Sequence, residues 1–390
     1  MITDKNLAYQ ILKDKISLLS RGIVVQPRKW WIPIRHRQSY AGGPGPQGRV
    51  YYISYGEESP TVGMISIPVY PKNHYLAKYA ISTKRSKVNP HNLITENSIV
   101  LKSLPPPPSL RMNLSDGTSI GRNVLFRMHC YNTYAISPSL TCYHFEDGKQ
   151  CKYCTIDIPA SSKWKLPKVF SDEHLVEALE ITLQNYKIRS ITITGGTFPD
   201  PDTSLCNMLN LIKKIRKVTD LSIHVQFEPV SELGLLKELA RFANSVGIFL
   251  EILDEKIRKE ICPGKSKVPK EKYIEAWKEA VKQFGQGNVL TTCFLGFNEN
   301  LETTLQEIEK CVKLGVRVVI LLVRPGSQAL GKNFIPSYLG KEDELIDFHI
   351  KVAQILLKYK LDTKIGGASG CIGCLGCSAI MEACQYARLS

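Results

Sequence analysis

From Ser171 to Leu357 the sequence alternates between apolar residues at helical spacing and short runs rich in Val, Ile and Leu. This alternation constrains the fold more than any other feature. Helical faces recur at Leu175, Leu179, Leu183 and Tyr186, at Leu205, Met208, Leu209, Ile212 and Ile215, and over 233–242, 273–284, 301–312 and 345–357. Strand-like runs lie between them at 191–194, 221–227, 246–252, 289–295 and 318–323, and an earlier one lies near 133–140. Ser171, Asp172 and Glu173 open the first helix, while Gly285 and Gly315 close two later ones. The pattern predicts an α/β fold of six units with right-handed crossovers and parallel strands. Periodicity alone leaves an open doubly wound sheet and a partial barrel as equal alternatives.

The flanking regions differ. Residues 4–20 have the period of an amphipathic helix, and residues 50–103 carry β-rich pieces divided by Pro and Gly turns. Pro105 to Pro108 form a stiff spacer. We expect an N-terminal α+β domain at 1–124, the strand–helix repeat at 125–360, and a C-terminal cysteine-rich segment at 361–390. With 43% hydrophobic residues, the 390-residue chain has ample material for a core. Its formal charge of +15 favours an acidic partner, but no long basic run localises that charge, which argues against nucleic acid. The N-terminus has no apolar leader, and the longest apolar runs are far too short to span a bilayer, so no membrane role and a cytoplasmic location are expected.

Of twelve cysteines, seven fall in two tight clusters, a distribution that suits metal binding in a reducing compartment better than a disulfide framework. The first cluster, Cys142, Cys151 and Cys154, occupies a polar loop after the first strand. Three thiols leave one corner of a four-iron cluster without a protein ligand, and a small molecule can chelate there. A zinc ribbon with Cys130 as fourth ligand is the alternative. In parallel α/β folds ligands gather at the carboxyl ends of strands. The polar residues there form one set: Thr194-Gly195-Gly196-Thr197, Glu228, Glu251, then Arg258, Gly296-Phe-Asn-Glu299, and Arg324-Pro-Gly326.

This combination of a cysteine triad after strand one, an aromatic residue (Tyr153) before the last cysteine, a Gly-Gly turn after strand two and a Gly-x-x-Glu turn after strand five resembles the radical S-adenosylmethionine (SAM) superfamily. Eight residues separate Cys142 from Cys151, where the commonest family spacing has three. The resemblance covers roughly residues 125–390 and implies a partial (β/α)6 barrel. It also implies a [4Fe-4S] cluster on Cys142, Cys151 and Cys154 whose open corner is closed by SAM. Tyr153 would then pack near the adenine, and Gly195 and Gly196 would let backbone approach the amino group. Glu228, Glu251 and Arg258 would reach ribose or carboxylate, with Glu299 and Arg324 as further cofactor contacts.

The second cluster, Gly370-Cys371-Ile-Gly-Cys374-Leu-Gly-Cys377-Ser378, is ferredoxin-like, with glycines that let backbone wrap a cluster and Cys384 or Ser378 as candidate fourth ligands. A zinc staple is the alternative. Together with His224-Val-Gln-Phe-Glu-Pro229 and Cys262-Pro-Gly-Lys-Ser-Lys-Val-Pro-Lys270, this run resembles an uncharacterised radical enzyme family of bacterial nitrilase gene clusters and the archaeal two-subunit lipoyl synthases. That resemblance implies an auxiliary [4Fe-4S] cluster and sulfur insertion into an octanoyl chain on an acidic lipoyl carrier protein. It further implies a second radical SAM subunit and a ferredoxin-like electron donor. Two other functions fit the residues: a radical enzyme using its auxiliary cluster for electron transfer, in a dehydrogenation or nucleic-acid modification, and a non-catalytic zinc protein.

Overall fold

The computed structural model describes all residues except 1, 25–47, 71–73, 81–86, 89–91, 96, 104–106, 124, 130–132, 157–167, 325–326, 332, 363–368 and 375. Cys130, part of the Pro105–Pro108 spacer and Pro325-Gly326 therefore lie outside the described residues. The helix Lys5–Arg21 opens the chain, capped by Asp4, whose carboxylate accepts from the amides of Asn6 and Leu7. Six strands follow: β1 (Ile23–Val24), β2 (Gly48–Ser54), β3 (Gly63–Tyr70), β4 (Tyr79–Ala80), β5 (Leu93–Ile94) and β6 (Val100–Ser103). They form one sheet in the order β4-β1-β3-β2-β6-β5. Its centre is the antiparallel pairing of β2 with β3 and β6, and β1 adds in parallel to β3.

The second sheet contains β7 (Arg127–His129), β8 (Thr133–Ile136), β9 (Ser190–Ile193), β10 (Ser222–Phe227), β11 (Ser245–Ile248), β12 (Val289–Leu295) and β13 (Val316–Leu322). Spatial order follows chain order without a break, from β7 at one edge to β13 at the other. A doubly wound sheet would reverse that order at a switch point. The unbroken order therefore settles what periodicity could not, and the sheet is a singly wound, curled partial barrel. The six expected strands β8 to β13 pair in parallel, and β7 adds antiparallel to β8. The run expected as a strand to residue 252 ends at Ile248; beyond it Glu251, at φ +70°, keeps a single parallel bridge to Cys293.

Side chains alternate across the strands and divide the sheet into unlike faces. One face presents Ile191, Ile193, Ile223, Val225, Val246 and Ile248 to the core shared with the helices. Leu205, Met208, Leu209, Ile212 and Ile215 of the helix Pro201–Ile215 are buried there, as their spacing predicts. The other face carries Thr133, Ser190, Thr192, His224, Gln226 and Ser245, all but Gln226 buried. No described helix is long and apolar enough to cross a membrane.

The C-terminal helix Ile380–Leu389, which the sequence reading did not anticipate, packs against Lys5–Arg21 and Glu342–Lys358. It carries Glu382, whose Oε1 lies 2.7 Å from Lys15 Nζ, both side chains being almost completely enclosed. Ion pairs of this kind are costly to break singly, because the surviving charge stays buried without its partner. Glu382→Ala is expected to destabilise the chain by about 3–5 kcal/mol, and the double variant Lys15→Met/Glu382→Leu to recover most of that loss. Urea-unfolding midpoints of the three proteins check this. A midpoint for Glu382→Ala equal to that of the parent would show that the pair does not hold the two ends of the chain together.

Candidate functional site

The loop carrying the first thiols is clamped from two sides. Cys142 sits just before the single helical turn Tyr143–Glu146, and the Tyr143 amide donates to Thr197 O at 2.7 Å, tying the loop to the turn after β9. Only glycine fits at position 196: a Cβ there would lie 1.8 Å from Thr141 O and 2.6 Å from Cys142 Cβ. On the other side, the Lys152 amide donates to Ile261 O and the Gly264 amide to Lys149 O. A Cβ on Gly264 would press on His144 Nδ1 and Lys149 O at 2.4 and 2.6 Å.

Cys142, Cys151 and Cys154 converge inside this clamp. Burial pushes the Cys142 thiol up, and burial with the neighbouring Cys151 and Cys142 sulfurs pushes Cys154 up to about 12. Cys151 is held well above the ordinary thiol range by its contact with Cys262 and by burial. Thiolates so crowded need compensating positive charge, which a metal supplies. Three converging sulfurs fit a four-iron cluster with one corner open.

Beside them lies a buried ionic array. Lys265 Nζ is 2.9 Å from Glu251 Oε1 and 4.0 Å from Glu228 Oε1. Glu228 also accepts from Thr197 Oγ1 at 2.6 Å and meets His144 Nε2 at 3.2 Å. Burial alone would raise the Glu228 carboxyl, but the His144 hydrogen bond, the Lys265 charge and Thr197 together hold it below the usual carboxylate range. Burial likewise opposes the Lys265 charge, and Glu251 and Glu228 outweigh it, leaving Lys265 firmly cationic. The second oxygen of Glu251, Oε2, is buried without a hydrogen-bond partner. Glu251 Oε2 and the Lys265 ammonium are suited to the amino and carboxylate groups of an amino-acid moiety such as that of SAM.

The residues expected from sequence separate into groups. Gly196, Glu228 and Glu251 lie beside the thiols, and Gly195 lies beside Ser139 and Met208. Tyr153 is buried, stacks on Phe294 at 4.6 Å between ring centroids, and has its hydroxyl 3.6 Å from Cys262 Sγ. Arg258 departs from the expectation that it reaches a ligand. Every nitrogen of its guanidinium is engaged, with Glu255 and with the carbonyls of Lys265 and Val268, and the side chain is fully buried over the Tyr273 ring. It shapes the 262–268 loop, and Lys265 is the cation that this loop brings to the site. Glu299 closes its own turn by accepting from the Gly296 and Phe297 amides. Arg324 donates to Ser66 O and lies with the second thiols. Sequence reasoning missed Lys265, Cys262 and His144 as site residues, although Cys-Pro-Gly-Lys directly after a helix was the available signal.

The second set of thiols is held on the polar face of the barrel. Gly370, at φ +63°, packs so closely on β10 that a Cβ would fall 2.1 Å from the His224 ring. Ser369 Oγ meets Ser245 Oγ at 2.9 Å, Ser245 Oγ meets His224 Nδ1 at 2.8 Å, and Gln226 Nε2 is 3.7 Å from Cys371 Sγ. The Ser66 amide of β3 donates to Gly376 O at 2.7 Å. Burial raises the Cys371 thiol, helped by Cys374 and Cys377; burial also raises Cys377, against the pull of Arg324. Cys384 lies on the helix Ile380–Leu389, fully buried and close enough to Arg317 of β13 to act on its charge.

Comparison with known proteins bears on the thiol loop. Residues 138–323 match the family model of the Radical SAM superfamily. A curated relative, bacteriochlorophyllide c C-7(1)-hydroxylase of Chlorobaculum limnaeum, is 24% identical over 247 residues, which cover 57% of this chain and 59% of that one. The chain thus spans less than two thirds of that relative's length. Among solved structures, the FeFe-hydrogenase maturase HydG of Carboxydothermus hydrogenoformans aligns with a TM-score of 0.44 at 17% identity, over 58% of this chain and 52% of that one. Methylornithine synthase aligns with a TM-score of 0.43 at 16% identity, over 61% and 66%. Likenesses at that level are too loose to bear on activity. The match over residues 138–323, which takes in Cys142, Cys151 and Cys154, identifies the chain as carrying a radical SAM superfamily domain.

Proposed function

We propose that this chain is a radical SAM enzyme that inserts sulfur at an unactivated C–H position, with Cys142, Cys151 and Cys154 as ligands of the SAM-binding cluster and Cys371, Cys374 and Cys377 as ligands of an auxiliary cluster. The observation that carries the reading is the sharing of β10. Gln226 touches Cys371, and Glu228, on the same side of the chain two residues later, belongs to the array around the first thiols. Two residues of extended chain span about 7 Å. One end of β10 thus touches both groups, Cys371 through Gln226 and the array around the first thiols through Glu228.

Cys142, Cys151 and Cys154 would hold the SAM-binding cluster, which when bound would supply the chemistry of hydrogen-atom abstraction from carbon. The chain's own part is to bind, orient and exclude water. Lys265 and Glu251 offer opposite charges to the amino-acid end of SAM, and Gly195 leaves backbone open nearby. Arg258 and Gly264 fix the loop that presents Lys265. By the lipoyl synthase resemblance, the substrate is an octanoyl group on an acidic carrier protein, processed with a partner subunit and a ferredoxin-like donor. A second reading, oxidation of a polar substrate with the auxiliary cluster as electron relay, is favoured by one observation. Thr192 Oγ1 and His224 Nε2 on the shared face are buried without partners, and an alkyl chain would leave them so. The hydroxylase named among the relatives is compatible with such an oxidation.

After anaerobic reconstitution, Cys151→Ala is expected to abolish reductive cleavage of SAM, whereas Cys374→Ala keeps cleavage and loses product. Mass spectrometry of an octanoylated lipoyl-domain peptide and of the nucleoside reads both. A peptide heavier by sulfur supports the first reading; 5′-deoxyadenosine with unchanged peptide rejects that substrate in favour of the second; loss of cleavage in Cys374→Ala would reduce the second thiols to a structural role. The glycine turn gives an independent check. Gly196→Ala is expected to lose most of the iron bound by the first thiols, because the nearest obstruction is backbone. Gly195→Ala, whose Cβ would come no closer than 3.4 Å to any atom, keeps it. Equal iron content in the two variants would contradict the clamp described above.

A further inference from the structure

Within the first site a tighter grouping stands out. The Sγ atoms of Cys151 and Cys262 and a carboxylate oxygen of Glu251 all lie within 4.8 Å of one another, and all three residues are buried. Cys142 and Cys154 are not in that group. Glu251 Oε1 is taken by Lys265, but Oε2 is enclosed and unpartnered, a state that costs free energy unless something binds there. Glu251 also holds φ +70°, a conformation that non-glycine residues keep mainly where surrounding structure imposes it at a working site.

Two thiolates and a carboxylate are the donor set of a borderline divalent cation. A tetrahedral ion with metal–sulfur bonds of about 2.3 Å holds its ligand atoms roughly 3.8 Å apart, which this grouping reaches with little movement. We propose that the cluster-free chain holds one Zn²⁺ or Fe²⁺ ion between Cys151, Cys262 and Glu251. Binding releases the two thiol protons to solvent and leaves a fourth position for water. Cys151 is common to this site and to the thiol triad, so the ion and a cluster on Cys142, Cys151 and Cys154 exclude one another. The exclusion rests on reading Cys151 as a cluster ligand; the ion site does not. An ion held here keeps Cys151 from the cluster.

The test uses the full-length chain, freed of metal under anaerobic conditions and titrated with Co²⁺ as the probe. Cys262→Ser is expected to bind one Co²⁺ fewer than the parent and to lose the matching share of the sulfur-to-cobalt charge-transfer absorption. Glu251→Gln keeps the stoichiometry with affinity weakened about tenfold or more. Both variants are compared with the parent by circular dichroism, and Glu251→Gln preserves volume if Cys262→Ser does not fold. After iron and sulfide reconstitution, Cys262→Ser is expected to carry as much iron as the parent. Unchanged cobalt stoichiometry in Cys262→Ser would place the ion on other thiols and overturn the proposal, as would unchanged affinity in Glu251→Gln. Loss of cluster iron in Cys262→Ser would make Cys262 a cluster ligand instead. Each of these results can be read whether or not the chain cleaves SAM.

Discussion

The arrangement of the first site depends on one buried charge. Lys265 sits between Glu251 and Glu228, and each contact it makes fixes a different part of the chain: Glu251 at the end of β11, and Glu228 at the end of β10. Glu228 in turn engages Thr197 after β9 and His144 in the thiol loop. Five segments of the chain thus meet on a few charged and polar atoms. Most of these are enclosed, so removing one partner leaves another uncompensated. Arg258 extends the same logic by binding the two carbonyls that bracket the Lys265 turn. The cation is presented by a loop whose shape is itself fixed by a buried arginine, which suits a position that has to be held before any ligand arrives.

A second dependence links the chain ends to the barrel. The polar face of the second sheet could not stay in a protein interior without hydrogen bonds. The segment after Ser369 supplies some of them, through Ser369 to Ser245 and Cys371 to Gln226, and Gly370 allows the close approach. The N-terminal sheet then fastens that segment from outside through Ser66, and Lys15 meets Glu382 behind it. The N-terminal sheet and the C-terminal helix therefore hold the second thiols against β10 and β11.

Much of the barrel was legible in the sequence because its signals are local. Apolar spacing marked the helices, Gly285 and Gly315 take the positive φ of helix ends, and Ser171 caps a helix by accepting from His174. Strand order was not legible, since it depends on which pairings form, and periodicity carries no record of that. The early end of β11 shows the same limit: nothing in the residues 246–252 signals that Glu251 will turn left-handed. In the site, the cysteines and strand-end carboxylates were readable by residue type and position. Arg258 was expected at the ligand and Lys265 was not, although both are cations on one short stretch. Only packing decides which is spent on backbone carbonyls and which faces the carboxylates.

The two thiol sets lie in unlike fields, and this follows from the same packing. Around the first set, one ammonium is shared by two carboxylates, so the fixed groups leave a net negative surrounding for sulfurs that are already crowded. Around the second, Arg324 and Lys15 act on Cys377, and His224 is held neutral by burial, with its pKa lowered to about 3. Lys265 acts on all three thiols of the first set, and Arg324 and Lys15 act on Cys377 of the second, yet burial raises the thiols of both sets, so thiolates in either depend on positive charge brought by what they bind. The cost is greatest at Cys151, which faces Cys262 and the charge of Glu251 together. A cation between Cys151, Cys262 and Glu251 would offset that cost and give the buried Glu251 Oε2 a partner.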